Sequence, residues 1–153
     1  MAALYHGGVP GLAIGGMLEP GHSRDHRHPG CPWCEARAKG GSYRGVDPAS
    51  HRQDRVYVTE DREYARWHAS LYGHGDLYLV EPVGEVERSQ EDPFPTFVVP
   101  AARVVAVLCR GVVLRPSQRR RIFERWARAD GLSKRQARAE LGEMLERAIG
   151  GVR

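Results

Sequence analysis

The stretch Leu4-Tyr5-His6-Gly7-Gly8, close to the N-terminus, decides how the rest of the chain is interpreted. A short apolar run, which we expect to form a strand over Ala2–Tyr5, ends at a histidine, and two glycines follow at once. Because glycine has no Cβ, the backbone at this point can approach a ligand closely. A polar ring beside a bare backbone suits a flat molecule that carries an amide, although a lone His-Gly pair also occurs in ordinary turns.

The composition is that of a folded protein of one domain, with or without an appendage. The chain has 153 residues, of which 41% are hydrophobic, and this is enough to fill a modest core. It contains no apolar run near the ~20 residues that span a bilayer, and its three cysteines do not make a disulfide framework. We therefore expect a cytoplasmic protein with no membrane partner.

The positive charge is concentrated in the C-terminal tail. From Arg115 onward there are 11 basic and 5 acidic residues, a net charge of +6, whereas residues 1–114 carry 12 basic and 14 acidic residues, a net charge of −2. We therefore divide the chain into a body, 1–114, and a basic helical tail, 115–153. If a nucleic acid is a partner, this tail is where we expect it to bind.

The body of the chain alternates strands with one helix. Strands are predicted from β-branched and aromatic residues at Val56–Thr59, Leu77–Val80, Phe97–Val99 and Val104–Leu108, with Met17–Gly21 as a short edge segment. Thr59 is expected to cap a helix whose apolar face carries Tyr64, Trp67, His68 and Leu71. Pro82 is expected to end the strand Leu77–Val80. Val104–Leu108 is a nearly continuous apolar run and is therefore predicted to be a buried strand. After Pro82 we expect a loop over Gly84–Asp92 that is rich in acidic residues.

Residues 22–51 form a predicted loop insertion that holds a possible zinc site. Cys31 and Cys34 have the spacing of half a zinc site, and His26 and His28 could supply nitrogen ligands. The same pair could instead be free cysteines in a loop, or a redox dithiol, and the sequence leaves these alternatives open.

The tail predicts two helices, one from Ser117 to about Ala129 and one opened by Ser133-Lys134-Arg135-Gln136. Ile122, Phe123 and Trp126 share one side of the first helix. Such a pair could be a helix–turn–helix reader of DNA or a helical cap packed on the body.

Four motifs in this order carry a resemblance: Tyr5-His6-Gly7, Gly16-Met17-Leu18-Glu19-Pro20-Gly21, Val56-Tyr57-Val58-Thr59, and Tyr78-Leu79-Val80-Glu81-Pro82-Val83-Gly84. Together they resemble the bacterial rifampicin-type ADP-ribosyltransferases, in the His–Tyr–acid branch of that superfamily. The resemblance covers roughly residues 4–110, except for the insertion, and the tail lies outside it.

The resemblance implies that 1–114 is a catalytic domain of α+β fold, with a split, mainly antiparallel sheet and NAD in the cleft. The C-terminal helical pair, predicted above from its own sequence, would be added to that core. His6 would bond a ribose hydroxyl, the backbone of Gly7 would hold the nicotinamide carboxamide, and Tyr57 would stack on the nicotinamide ring. Thr59 is included among the cofactor-binding residues. A carboxylate would then stabilise positive charge on the ribose as nicotinamide leaves.

The chain departs from the family pattern at the acid. Strict register places Ser89 where the carboxylate is expected, and the neighbouring carboxylates are Glu87, Glu91 and Asp92. We favour Glu87, with Glu91 and Asp92 as substitutes, although these acids could also belong to a solvated loop and Tyr57 to the core.

The predicted function is transfer of ADP-ribose from NAD to a protein, a nucleic acid or a small molecule. The alternatives are an NAD-dependent RNA 2′-phosphotransferase, which the acidic body disfavours, and a zinc-stabilised nucleic-acid-binding module without catalysis.

Overall fold

The computed structural model describes residues 2–20, 39, 52, 54–71, 75–92, 94–129, 131 and 139. Within these residues the chain forms seven strands and two helices. In chain order they are β1 (Leu4–Gly8), β2 (Met17–Leu18), β3 (Val56–Thr59), α1 (Arg62–Leu71), β4 (Asp76–Val83), β5 (Glu87–Arg88), β6 (Thr96–Val99), β7 (Ala101–Cys109) and α2 (Pro116–Ala129).

The described strands make one antiparallel sheet in the order β2-β7-β4-β1-β3-β6-β5. Strand β1 lies at its centre and pairs with β4 at five positions, from Leu4 opposite Val80 to Gly8 opposite Asp76. On its other side β1 pairs with β3 at one position, Tyr5 opposite Thr59. The predicted α+β class with a mainly antiparallel sheet is confirmed.

Several predicted strand ends are wrong, because pairing with neighbours overrides local preference. Strand β1 begins at Leu4 and continues through His6 and both glycines, since β4 supplies partners as far as Gly8. Pro82 lies inside β4, opposite Ala102 of β7, and the pairing continues to Val83. Strand β7 is not buried throughout, because one of its faces is open near the sheet edge and Val105 is 37% exposed.

The cap of α1 is Asp61, not the predicted Thr59. The Asp61 carboxylate accepts the Tyr64 amide at 2.9 Å, which satisfies one of the donors that a helix start leaves unpaired. Thr59 Oγ1 accepts the Asp61 amide at 3.1 Å and thereby holds the capping residue in place.

Two apolar clusters hold these elements together. One joins α1 to α2, with Trp67, Leu77, Ile122 and Phe123 among its buried residues. The other lies among the strands and includes Leu4, Val58, Tyr78, Val99 and Val104. The first tail helix is therefore confirmed, and it packs on the body through Ile122 and Phe123, which are 1% and 8% exposed.

The second predicted tail helix, from Ser133, lies outside the described residues apart from Ala139. Neither α1 nor α2 has the length and apolar character that crossing a membrane requires.

Candidate functional site

The candidate site lies where the backbone pairing of β1 with β3 ends. His6 is the next residue on β1 after the single pair at Tyr5, and its half-buried side chain reaches across to β3. Its Nδ1 lies 2.8 Å from the backbone oxygen of Tyr57. The imidazole therefore joins the two strands beyond the point at which their backbones pair.

The environment of His6 keeps its ring neutral and its Nε2 an acceptor. Burial lowers the pKa of His6, and the hydrogen bond to the Tyr57 carbonyl opposes that shift without reversing it. Since a carbonyl only accepts, Nδ1 carries the proton and Nε2 bears a lone pair. Among the described residues none bonds Nε2. A hydroxyl donor of a ligand would be bound well there.

The two glycines after His6 are required for different reasons. A Cβ on Gly7 would lie 1.8 Å from the Ala65 backbone oxygen, so α1 packs directly on the bare backbone of β1 at this point. A Cβ on Gly8 would lie 2.6 Å from His6 Nε2. Gly7 therefore serves helix packing, whatever it contributes to a ligand, whereas Gly8 leaves room for the histidine ring.

Tyr57 connects the histidine to an acid. Its hydroxyl accepts the Arg52 amide at 2.9 Å and lies 3.3 Å from Glu91 Oε2, to which it donates. Burial, with a further contribution from the Glu91 charge, raises the pKa of Tyr57 to about 12. The half-buried side chain is therefore a neutral phenol at physiological pH.

The three candidate acids occupy different places. Glu87 on β5 is exposed and binds the Arg52 guanidinium at 2.7 Å. Both Glu87 and Tyr57 lie opposite Val98, one on each side of β6, so they are two strand spacings apart, or roughly 9–10 Å. The contact at the Tyr57 hydroxyl is made by Glu91, not Glu87.

Asp92, which is half-buried, is hydrogen-bonded to the buried Ser89. The Tyr64 hydroxyl hydrogen-bonds one oxygen of Asp92, and Ser89 Oγ donates to the other at 3.0 Å. Ser89 is 8% exposed, and its amide donates to the Thr96 carbonyl at 2.9 Å. Ser89, which stands where the resemblance places the acid, therefore holds the segment that carries Glu91 and Asp92.

Thr59, predicted to contact the cofactor, is 5% exposed. Its hydroxyl donates to the Pro95 carbonyl at 2.9 Å in addition to accepting the Asp61 amide. These bonds connect β3 with the segment before β6 and with the start of α1.

A further buried network around Asp76 was not predicted. Asp76 is 2% exposed and accepts the amides of Gly11 and Gly111, both at 2.9 Å, and the Arg110 guanidinium at 2.5 Å. Burial alone would raise the pKa of Asp76, but these donors outweigh it and the pKa is lowered.

The Asp76 network fixes the segment that leaves β1. The Tyr78 hydroxyl lies 2.6 Å from the Val9 carbonyl and 3.2 Å from Asp76, and it accepts the Leu12 amide at 3.2 Å. Asp76 and Tyr78 lie two residues apart and hence on one face of β4, but the predicted strand began only at Leu77.

The predicted metal ligands, Cys31, Cys34, His26 and His28, lie outside the described residues, and zinc stays a prediction. In the part of the chain that the structure describes, no group of three or more His, Cys, Asp or Glu residues could hold a metal ion. On α2 the exposed basic side chains include Arg120, Arg121 and Arg128. Nucleic acid as a partner of the tail likewise stays a prediction.

Comparison with known proteins assigns no family. Neither the protein-family models nor the curated proteins include a match to this chain.

Proposed function

We propose that this protein is an ADP-ribosyltransferase that uses NAD as its substrate. The observation that carries the proposal is that two polar groups converge on Tyr57. His6 bonds its carbonyl, and Glu91 bonds its hydroxyl. An imidazole, a phenol and a carboxylate from three separate parts of the chain are thereby linked around one residue.

The proposed fold is the split sheet of that superfamily. Its support is the β1–β3 ladder, which has one paired position, while β1 remains paired with β4 along its whole length. A cleft opening between β1 and β3 would expose backbone groups of both strands to a ligand, and the ring of Tyr57 would offer a flat surface for nicotinamide.

The proposed mechanism depends on the positive charge that develops on the ribose when nicotinamide leaves. Breaking the bond between nicotinamide and ribose sends the bonding electrons to nicotinamide and leaves positive charge on the ribose ring. Glu91 would stabilise that charge more in the transition state than in the ground state, which accelerates the reaction. The acceptor then attacks the anomeric carbon and releases a proton to the solvent.

His6 would hold the ribose. Its neutral ring, with the proton on Nδ1, presents the Nε2 lone pair to a ribose hydroxyl that donates. Since the Tyr57 carbonyl fixes the ring, this contact needs no reorientation of the imidazole when substrate binds.

Glu91 replaces Glu87 as the proposed acid. Glu87 is exposed, paired with Arg52 and two strand spacings from Tyr57, whereas Glu91 contacts the Tyr57 hydroxyl. A charge that is exposed and paired has less effect on a neighbouring transition state.

The proposal is tested by nicotinamide release from NAD labelled in the nicotinamide ring, with Glu91→Gln compared with Glu87→Gln. Both changes remove one charge with almost no change in shape. We expect Glu91→Gln to lower kcat by on the order of 10²–10³, the usual effect of removing an electrostatic stabiliser. Glu87→Gln should stay within about twofold of the unaltered protein, because its charge is largely screened.

Two results would contradict the proposal. One is an unaltered protein that releases no nicotinamide and whose melting temperature NAD does not change. The other is release that both variants reduce equally, which would remove the assignment of Glu91.

A further inference from the structure

The segment that carries Glu91 is held by hydrogen bonds within itself and to β6. We call residues 89–92 the acidic loop. The Ser89 amide donates to the Thr96 carbonyl at 2.9 Å, and the Glu91 amide lies 3.3 Å from Ser89 Oγ. Ser89 Oγ in turn donates to Asp92 at 3.0 Å. One serine therefore binds both acids of the loop.

The far end of the acidic loop is tied to helix α1. The Tyr64 hydroxyl bonds the Asp92 oxygen that Ser89 does not use. Tyr64 is 2% exposed and Asp92 is half-buried, so the tyrosine end of this bond lies inside the protein. Because Glu91 precedes Asp92 directly, the position of Asp92 restricts where the Glu91 carboxylate can go.

Helix α2 contacts the ring of Tyr64 through Trp126. Trp126 meets that ring edge to face, with centroids 5.3 Å apart, and Phe94 packs on it at 5.1 Å. The Arg125 guanidinium lies over Phe94 at 4.8 Å and also pairs with Asp61, the cap of α1. The tail helix thus contacts both Tyr64, through Trp126, and Phe94, which lies two residues beyond Asp92.

We infer that Tyr64, braced by Trp126 of α2, is a positioning residue that holds the acidic loop so that Glu91 reaches Tyr57. This role deepens the proposed function and rests on it. It assigns the basic tail a part in catalysis that the family resemblance does not contain, because the tail lies outside the matched region.

The direct test is Tyr64→Phe, which removes the hydroxyl and leaves the packed ring. We expect kcat for nicotinamide release to fall about tenfold or more and KM for NAD to stay within about twofold, since His6 and Tyr57 are untouched. The control is Tyr5→Phe, because the Tyr5 hydroxyl bonds no described residue. Its kcat and melting temperature should match those of the unaltered protein. A general loss of packing would change KM and melting temperature together with kcat.

Asp92→Asn separates positioning from direct catalysis. Asparagine keeps an oxygen that can accept the Tyr64 hydroxyl but has no charge, so kcat should fall less than in Glu91→Gln. If Asp92→Asn abolished turnover while Glu91→Gln did not, Asp92 would be the acid and the inference would be overturned.

A conservative change in α2 provides a second check. Trp126→Phe keeps an aromatic ring against Tyr64 and should retain most of kcat, whereas Trp126→Leu should lower kcat as Tyr64→Phe does. Equal kcat values for the two variants would contradict bracing by the aromatic ring.

Amide hydrogen exchange of the protein without NAD measures the positioning role independently of catalysis. In Tyr64→Phe the Glu91 amide should exchange about tenfold faster, whereas the Ser89 amide, bonded to β6, should be unchanged. Unchanged exchange at Glu91 would overturn the positioning role. Faster exchange at Glu91 in a protein that releases no nicotinamide would support the positioning role and refute the proposed function instead.

Discussion

At the scale of single residues, the site depends on a histidine whose orientation is set by its neighbours. The Tyr57 carbonyl fixes the proton on Nδ1, and the missing side chain of Gly8 leaves the space that Nε2 occupies. The ring is held in place before any ligand binds, which is what lets a binding contact form at low entropic cost.

Gly8→Ala tests this arrangement. A methyl group placed 2.6 Å from Nε2 must push the imidazole away, since the ring is the movable partner. We expect NAD binding to weaken at least as much as in His6→Ala, while the free energy of unfolding falls by less than about 1.5 kcal/mol. Calorimetric titration with NAD and urea unfolding measure the two effects.

Gly7→Ala is the matched comparison. Here the new methyl group would meet the backbone of α1 at 1.8 Å, and a helix backbone cannot rotate away. Unfolding free energy should fall by about 1–3 kcal/mol or more. A Gly7→Ala protein as stable as Gly8→Ala would contradict the close packing of α1 on β1.

Residue types at the site were predictable, but their partners were not. The pattern around His6, Tyr57 and the acidic run was visible as a set of motifs. The choice of Glu91 over Glu87 depends on the register of β5 against β6, which places Glu87 beyond Val98, and no local pattern encodes that register. Asp76 stayed hidden because its donors come from Gly11 and Gly111, which are distant in sequence.

At the scale of elements, the start of α1 joins the sheet, the acidic loop and the tail helix. Asp61 caps the helix through the Tyr64 amide and also pairs with Arg125 of α2. One carboxylate therefore has a local role in α1 and a tertiary role between two helices.

Asp61→Asn and Asp61→Ala separate these roles. Asparagine remains a good cap but loses the charge, so Asp61→Asn should cost less than about 1 kcal/mol, since Arg125 is 40% exposed and solvent screens the pair. Asp61→Ala loses the cap as well and should cost about 1–2 kcal/mol. Thermal unfolding monitored by circular dichroism measures both, and equal losses would contradict the capping role.

The existence of the elements was more predictable than their ends. β-Branched and aromatic residues predicted β3, and apolar residues on one side of a helix predicted α2, each almost to the residue. Strand β1 runs further than predicted because β4 pairs with it as far as Gly8, and β4 runs past Pro82 because β7 pairs with it there. Such pairing is a property of the assembled sheet.

At the scale of the whole molecule, α2 belongs to the same core as the body. Charge and composition placed a boundary between residues 114 and 115, yet Ile122 and Phe123 pack in one cluster with Trp67. Net charge describes a surface and says little about which apolar faces meet.

Ile122→Ala tests whether the core is shared. Ile122 is 1% exposed, so its truncation should lower the unfolding free energy of the whole protein by about 2–5 kcal/mol in one cooperative transition. The neighbouring control, Arg121→Ala, is exposed and should change it by less than about 0.5 kcal/mol. If Ile122→Ala unfolded α2 alone and left the denaturant unfolding transition of the body unchanged, α2 and the body would be two independent units.

The central claim is that nicotinamide binds at Tyr57, between β1 and β3. The most direct measurement is the set of nuclear Overhauser effects between NAD and the protein, with the aromatic rings selectively labelled. The account predicts contacts from the nicotinamide ring protons to the Tyr57 ring and from the adjacent ribose to the His6 ring. Saturable NAD binding with nicotinamide contacts elsewhere, or no binding at millimolar NAD, would contradict it.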